Sequence, residues 1–160
     1  MKKILFVINT MGQAGAETAM LGLMQRLLQM GEYQISLYVI LPQGELFGRL
    51  PAGVQLLNLH CSTESVLSPK GRLLLARSVL GAFFHHGTGF KHLGSIVANL
   101  STQKRTSGRI QIDKALWRLL ADAAPSPLDT YDLAIAYIEG ASTYFLADKV
   151  RAAHKVAFVH

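Results

Sequence analysis

The sequence predicts an α/β protein with a Rossmann-like parallel sheet and helices on both faces of that sheet. Short apolar segments alternate along the chain with helical patterns, and this order is typical of parallel strands joined by right-handed crossovers. The first apolar segment, residues 4–8, is continuous, as in strands that are buried on both faces. The 160 residues, half of them hydrophobic, are enough for a domain with its own core.

In the first half of the chain, glycine and proline mark the ends of the predicted elements. Apolar residues recur every three or four positions after the first strand, until Gly31 ends the helical pattern. Apolar and polar residues then alternate until Pro42, which predicts a second strand. The predicted elements are a strand, a helix, a strand, a helical turn and a strand, over residues 3–8, 16–28, 33–41, 44–50 and 54–59.

The second half of the chain is predicted to be helical before it returns to the sheet. Residues 62–110 are predicted to form a basic helical insertion, with a break near residues 87–89. The apolar spacing that follows predicts an amphipathic helix with Arg118 and Asp122 paired on its outer face. The predicted elements are mostly helix, a polar loop, a helix, a strand, a helix and a strand, over residues 66–100, 101–108, 112–123, 133–138, 141–150 and 156–159.

The positive charge of the chain is concentrated in the predicted insertion. The formal net charge is +6, and no acidic residue occurs between Glu64 and Asp113. Basic residues within apolar helical sequence favour an anionic partner, such as lipid headgroups or a phosphorylated substrate. A solvated face with acidic partners elsewhere in the fold is the alternative. The candidate residues for a membrane or other anionic surface are Arg72, Arg77, Lys91, Lys104 and Arg105.

Other features disfavour several classes of protein. No apolar run reaches the roughly 18 residues of a membrane span, and the run after Lys3 is too short for a signal peptide. We therefore expect a cytoplasmic protein, located in the cytosol or at the inner face of the membrane. Cys61 is the single cysteine, so an internal disulfide and a cysteine-rich metal site are excluded. Nucleic acid is not favoured as a partner, because the basic segment has few aromatic residues.

The loop after the first strand is the main candidate for ligand binding. Its sequence, GQAGAE, matches neither the dinucleotide pattern G-x-G-x-x-G nor the P-loop, so nucleotide hydrolysis and nicotinamide binding are disfavoured. Small residues before a helix let a ligand approach unpaired backbone N–H groups, although a plain tight turn would use the same residues. A carboxylate in the first helical turn suits the helix dipole and would equally accept ligand hydroxyls. The candidate residues for substrate binding are Gly12, Gly15, Ala16 and Glu17.

Two further candidate positions end predicted strands near the C-terminus. Glu139 and Gly140 close the fourth strand, where ligands of parallel sheets bind, although Glu139 would also suit the start of the next helix. His160 follows the fifth strand and is a candidate for proton transfer, or else an ordinary loop residue. Because the chain ends at the tip of a strand, we expect a domain truncated from a longer protein.

The two ends of the chain together resemble a known enzyme family. The segment KILFVINTMGQAGAETAMLGLMQRL has a strand, a small-residue loop and a glutamate in the first helical turn. The segment YDLAIAYIEGASTYFLADKVRAAHKVAFVH has the pattern Y-D-x-x-I-A-x-x-E-G before a helix and a strand ending in histidine. These segments, in this order, resemble the N-terminal domain of bacterial group 1 glycosyltransferases of the GT-B fold.

The resemblance implies an acceptor-binding domain that works with a second domain across a cleft. The second domain would bind a nucleotide sugar, and a sugar would pass to a glycan or a lipid-linked acceptor without a metal or other cofactor. The positions that match the family's loop glutamate, its E-G glutamate and its cleft histidine are Glu17, Glu139 and His160. This chain would be inactive alone. A non-enzymatic α/β module that binds an anionic membrane or glycan surface is the alternative.

Overall fold

The computed structural model describes residues 1–84 and 112–158, and these residues form an all-parallel α/β domain. Five strands lie in the order β3-β2-β1-β4-β5. This arrangement confirms the predicted fold class. The strands are β1 (Lys2–Ile8), β2 (Tyr33–Val39), β3 (Gln55–Leu56), β4 (Thr130–Ala136) and β5 (Arg151–Ala157), and the helices are α1 (Gly15–Gln29), α2 (Pro69–Phe84), α3 (Ile112–Ala123) and α4 (Ala141–Lys149), with a 3₁₀ helix at Glu45–Arg49.

Helices cover both faces of the sheet, because alternate side chains of each strand enter different cores. One core joins α1 to the face that carries Phe6 and Ile35. The other core joins α3 and α4 to the opposite face, where Tyr38 stacks on Phe145 with ring centroids 4.5 Å apart. Because β1 contributes to both cores, its whole apolar run is buried, as the continuous pattern predicted.

The predicted ion pair of α3 is confirmed, and it extends to the neighbouring helix. The guanidinium of Arg118 lies 3.4 Å from the carboxylate of Asp122 and 2.7 Å from that of Asp148 in α4. It also lies over the ring of Tyr144, 5.0 Å from the ring centroid. Arg118 therefore connects α3 to α4 at the surface of the second core.

The third strand is much shorter than the predicted residues 54–59, because a side chain takes over its pairing with β2. The amide of Asn58 donates to the backbone oxygen of Val39 over 2.8 Å and accepts from its N–H over 2.9 Å. The side chain of Asn58 thus makes the two hydrogen bonds to Val39 that backbone groups would make if β3 continued alongside β2.

The last two strands begin earlier than predicted. The sequence predicted residues 133–138 and 156–159, whereas β4 begins at Thr130 and β5 at Arg151. Both starts are polar and pair with each other, with Thr130 opposite Arg151. Strand β5 is exposed along almost its whole length, so its sequence lacks the apolar run from which a buried strand is recognised.

Part of the predicted insertion, and some candidate residues, lie outside the described residues. Within the predicted insertion, α2 confirms a helix from Pro69 to Phe84. The candidate residues Lys91, Lys104, Arg105 and His160 are not among the described positions. Over residues 1–84 and 112–158, no helix combines the length and the hydrophobicity needed to cross a membrane.

Candidate functional site

The candidate site lies at the carboxyl edge of the sheet, where the strand order changes direction between β1 and β4. The chain leaves β1 toward β2 on one side, and β4 leads to β5 on the other. The loops that follow β1 and β4 therefore leave the sheet at neighbouring points of this edge, and the crevice outside this edge is where ligands of such sheets usually bind. The loop after β1 and the segment around Glu139 meet at this crevice.

Asn9 connects these two loops, although the sequence analysis did not single it out. Its side-chain amide donates to the backbone oxygen of Glu139 over 2.7 Å, and its side-chain oxygen accepts from the N–H of Ser142 over 2.8 Å. Ser142 is the second residue of α4, so Asn9 supplies the cap that Gly140 cannot. The sequence feature that could have identified Asn9 is its position, as an asparagine that ends a buried apolar strand at the switch point.

The backbone, rather than a ligand, accounts for the glycine at position 140. Gly140 has φ = +105°, a conformation that side chains other than glycine rarely adopt. A Cβ there would also lie 3.1 Å from the side-chain nitrogen of Asn9 and 3.5 Å from the ring of Trp117. Gly140 thus allows Asn9 to approach the start of α4. Its predicted role in substrate binding stays a prediction.

The N-terminus of α1 has backbone donors available for a ligand. Its N-cap residue, Ala14, provides no side-chain hydrogen bond. Among the described residues, nothing accepts from the N–H groups of Gly15, Ala16 and Glu17. A Cβ at Gly15 would meet nothing within 4 Å, so there is room beside the backbone. These groups carry the positive end of the helix dipole and favour a negatively charged or oxygen-rich ligand.

Glu17 places a carboxylate in the interior at this helix end. Only 5% of the residue surface is exposed. Its Oε2 atom is buried, and no described residue donates to it. An unpaired buried carboxylate oxygen is costly, and sites of function are where such costs are found. Glu17 is therefore suited to accept a hydrogen bond from a ligand hydroxyl.

The base of the same loop is held rigidly by the segment that follows β2. The backbone N–H of Met11 donates to the oxygen of Gln43 over 2.9 Å, and the oxygen of Met11 accepts from Leu46 over 3.0 Å. This close approach requires Gly44, which has φ = +142° and whose Cβ would lie 2.1 Å from the Met11 carbonyl. The loop is thus fixed at Met11 and exposed from Gln13 to Gly15.

A carboxylate on the 3₁₀ helix near this loop has a lowered pKa. The hydroxyl of Ser65, the backbone N–H of Glu45 itself and the backbone N–H of Gln13 stabilise the charged form of Glu45 and lower its pKa below the usual range. Glu45 is exposed at the start of the 3₁₀ helix.

The remaining described candidates lie apart from this crevice or at its rim. Glu139 is exposed, and its backbone oxygen is bonded to Asn9. Arg72 and Arg77 are exposed on α2. The part of the chain that the structure describes contains no group of three or more histidine, cysteine, aspartate or glutamate residues arranged to hold a metal ion.

Comparison of the chain with family models, curated proteins and solved structures gives no match. The fold by itself defines the class of protein as a Rossmann-like α/β domain. A more particular function has to be argued from the site itself.

Proposed function

We propose that this chain is the acceptor-binding domain of a glycosyltransferase that moves a sugar from a nucleotide sugar to a glycan or lipid-linked acceptor. The observation that carries the proposal is the pairing of unlike groups at the start of α1. Three backbone N–H groups there make no hydrogen bond to described residues, and beside them the buried carboxylate of Glu17 has an unpartnered oxygen. Donors for phosphate oxygens and an acceptor for hydroxyls are the groups that a phosphate-bearing sugar needs.

The location of these groups supports the same function. They lie at the carboxyl edge of a parallel sheet, where two loops leave the sheet and Asn9 holds them in place. The sequence of this loop and the segment that begins at Tyr131 carry the resemblance to group 1 glycosyltransferases. The nucleotide of the donor would be bound by a second domain facing this edge, and the acceptor by the loops of this one.

The experiment measures sugar transfer by the protein that the natural reading frame encodes, with nucleotide sugars and lipid extracts as substrates. The variant Glu17→Gln keeps the shape of the side chain and removes its charge. We expect kcat/KM to fall about tenfold to a hundredfold, as for a lost hydrogen bond to a charged group. The control is Glu32→Gln, because Glu32 is exposed at the amino edge of the sheet.

Two results would count against this function. If wild type and Glu17→Gln transfer sugar equally fast, Glu17 does not contribute to substrate binding. Absence of transfer from every nucleotide sugar tested would refute the enzyme assignment and favour a binding module.

A second candidate function, docking on an anionic membrane, is favoured by one face of α2. Leu73 and Leu80 are 54% and 62% exposed, and they lie seven residues apart on the helix. Arg72 and Arg77 are exposed beside them. Exposed leucines flanked by basic residues are the features of a helix that lies in the membrane interface. We propose this face of α2 as the membrane-binding surface, and it is compatible with transfer to a lipid-linked acceptor.

A further inference from the structure

A cavity lies beside the loop described above, between the ends of β2 and β3 and helix α2. Its volume is about 240 Å³, below the roughly 300–1,000 Å³ of sites for drug-sized ligands. It is lined by Leu41, Pro42, Gln43, His60, Cys61, Ser62, Leu74 and Ser78. The cavity therefore has room for one small ring.

Gln43 is the unusual member of this lining. It is 2% exposed, and among the described residues neither its side-chain nitrogen nor its side-chain oxygen has a hydrogen-bond partner. A primary amide can donate two hydrogen bonds and accept two, and burying it without partners is costly. The amide nitrogen lies against Gly71, where a Cβ would come within 2.5 Å of it. Gly71, the third residue of α2, thus leaves space for this amide and for the backbone oxygen of Ser65, which a Cβ would approach to 1.8 Å.

The other lining groups indicate the chemistry of a ligand. Two serine hydroxyls and a histidine add hydrogen-bonding groups, and two leucines and a proline add apolar surface. Among the described residues, no lysine, arginine, aspartate or glutamate lines the cavity, so a charged ligand would lack a partner. Among the described residues no phenylalanine, tyrosine or tryptophan lines it either, so His60 offers the one lining ring on which a nucleobase could stack.

We propose that this cavity binds one neutral sugar ring, with the Gln43 amide turning into the cavity to pair with neighbouring hydroxyls of the ring. This inference rests on the proposed function, because it assigns the cavity to a sugar unit of the acceptor. The backbone of Gln43 bonds to Met11 at the base of the first loop. A sugar held here would therefore be next to the segment that fixes the base of that loop at Met11.

The test uses Cys61, the single cysteine, as a reporter at the cavity. Its alkylation by iodoacetamide is followed by mass spectrometry in alkaline buffer, because burial raises the pKa of the thiol. The probes are D-glucose, D-galactose, D-mannose and N-acetyl-D-glucosamine, with uridine and inorganic phosphate as controls. We expect at least one of the sugars to slow alkylation in a saturable manner, and phosphate to have no effect.

Two variants separate the proposed recognition from folding. Gln43→Leu removes an unpartnered amide, so its midpoint of thermal unfolding should not fall, while the concentration for half-maximal protection rises at least about tenfold. Ser78→Leu fills the cavity from α2 without altering Gln43 and should abolish protection. A circular dichroism spectrum like that of the wild type shows that each variant is folded.

Several results would overturn the inference. One is that none of the four sugars protects Cys61 from alkylation. Another is that the sugars protect Cys61 equally in wild type and in Gln43→Leu. A third is that uridine alone protects Cys61, which would indicate a nucleobase site. The outcome is independent of the transfer assay. If sugars protect Cys61 but no sugar transfer is found, the cavity is still a sugar-binding site, and only the proposed transferase activity is refuted.

Discussion

The side-chain oxygen of Asn9 accepts a hydrogen bond from the backbone N–H of Ser142, 133 positions away in the sequence. This bond ties the end of the first strand to the start of the last helix, across the crevice that we propose as the ligand site. The two sides of the crevice are thereby held at a fixed separation, which reduces the ordering that a ligand would otherwise have to impose.

Replacement of Asn9 by alanine should destabilise the fold at this point. The substitution leaves the oxygen of Glu139 and the N–H of Ser142 without their partner, and Asn9 is 92% buried, since only 8% of its surface is exposed. We expect the free energy of unfolding to fall by about 2–4 kcal/mol, measured by urea denaturation. Asn9→Asp keeps the acceptor for Ser142 but turns a buried carboxylate oxygen toward the backbone oxygen of Glu139. The two variants are therefore compared at a pH low enough to protonate this carboxylate, where the aspartate should cost less than the alanine. Equal losses at that pH would contradict the capping role.

Alanine at position 44 should disturb the loop through its neighbour. The added Cβ would meet the Met11 carbonyl at 2.1 Å, and φ = +142° is itself unfavourable for alanine. We expect a loss of about 3 kcal/mol or more in the free energy of unfolding. The matched control is Gly48→Ala in the adjacent 3₁₀ helix, where a Cβ meets nothing within 4 Å. A destabilisation as large in the control would show that glycine is required there for another reason.

Tyr38 should make stability depend on pH in the alkaline range. Burial raises the pKa of its hydroxyl from 10.0 to about 12. Below pH 10 both the folded and the unfolded chain keep this proton, so the contribution is fully present. Between about pH 10 and 12 the unfolded chain loses the proton first, so stability falls as pH rises, by up to about 2–3 kcal/mol from this group.

The variant Tyr38→Phe isolates this effect, because it removes the hydroxyl and keeps the ring that stacks on Phe145. Urea denaturation of both proteins across this pH range should show a smaller alkaline loss in the variant. Tyr131, whose pKa burial also raises, contributes equally to both proteins and cancels in the difference. Parallel stability curves would mean that Tyr38 ionises as readily in the folded chain.

Charge reversal on α2 should weaken binding to anionic vesicles. We expect Arg72→Glu combined with Arg77→Glu to lower the partition coefficient onto phosphatidylglycerol vesicles at least about thirtyfold, at roughly 1 kcal/mol for each basic residue near the surface. The measurement is vesicle sedimentation at low ionic strength. The control is Arg26→Glu combined with Arg49→Glu, which changes the net charge equally at exposed positions outside α2. An equal loss in the control would refute the assignment to α2.

The sequence predicted the sheet better than the site, for physical reasons. Strands β1 and β2 are buried, so their apolar patterns locate them to within about two residues. Strand β5 is exposed and carries no such pattern. Glu17 could be placed at the start of α1 from its position in the helix pattern, but its burial depends on packing that the pattern does not reveal.

The residues that were missed are those whose role depends on contacts between distant segments. Asn9 acts on Glu139 and Ser142, and the pattern around Asn9 gives only a strand end. Gln43 follows a proline in a polar turn, where exposure is the ordinary expectation, and instead it is buried. Short-range periodicity carries no information about either contact.

The exposed strand β5 has a consequence for handling the protein at high concentration. Among the described residues only β4 pairs with it, which leaves its other edge available to a second chain. Arg151 and Lys155 are exposed along this strand, and like charges at an edge oppose association of two copies. Salt screens such repulsion beyond about 10 Å at 0.1 M ionic strength. Concentrated solutions should therefore stay monodisperse at low salt and self-associate as salt is added.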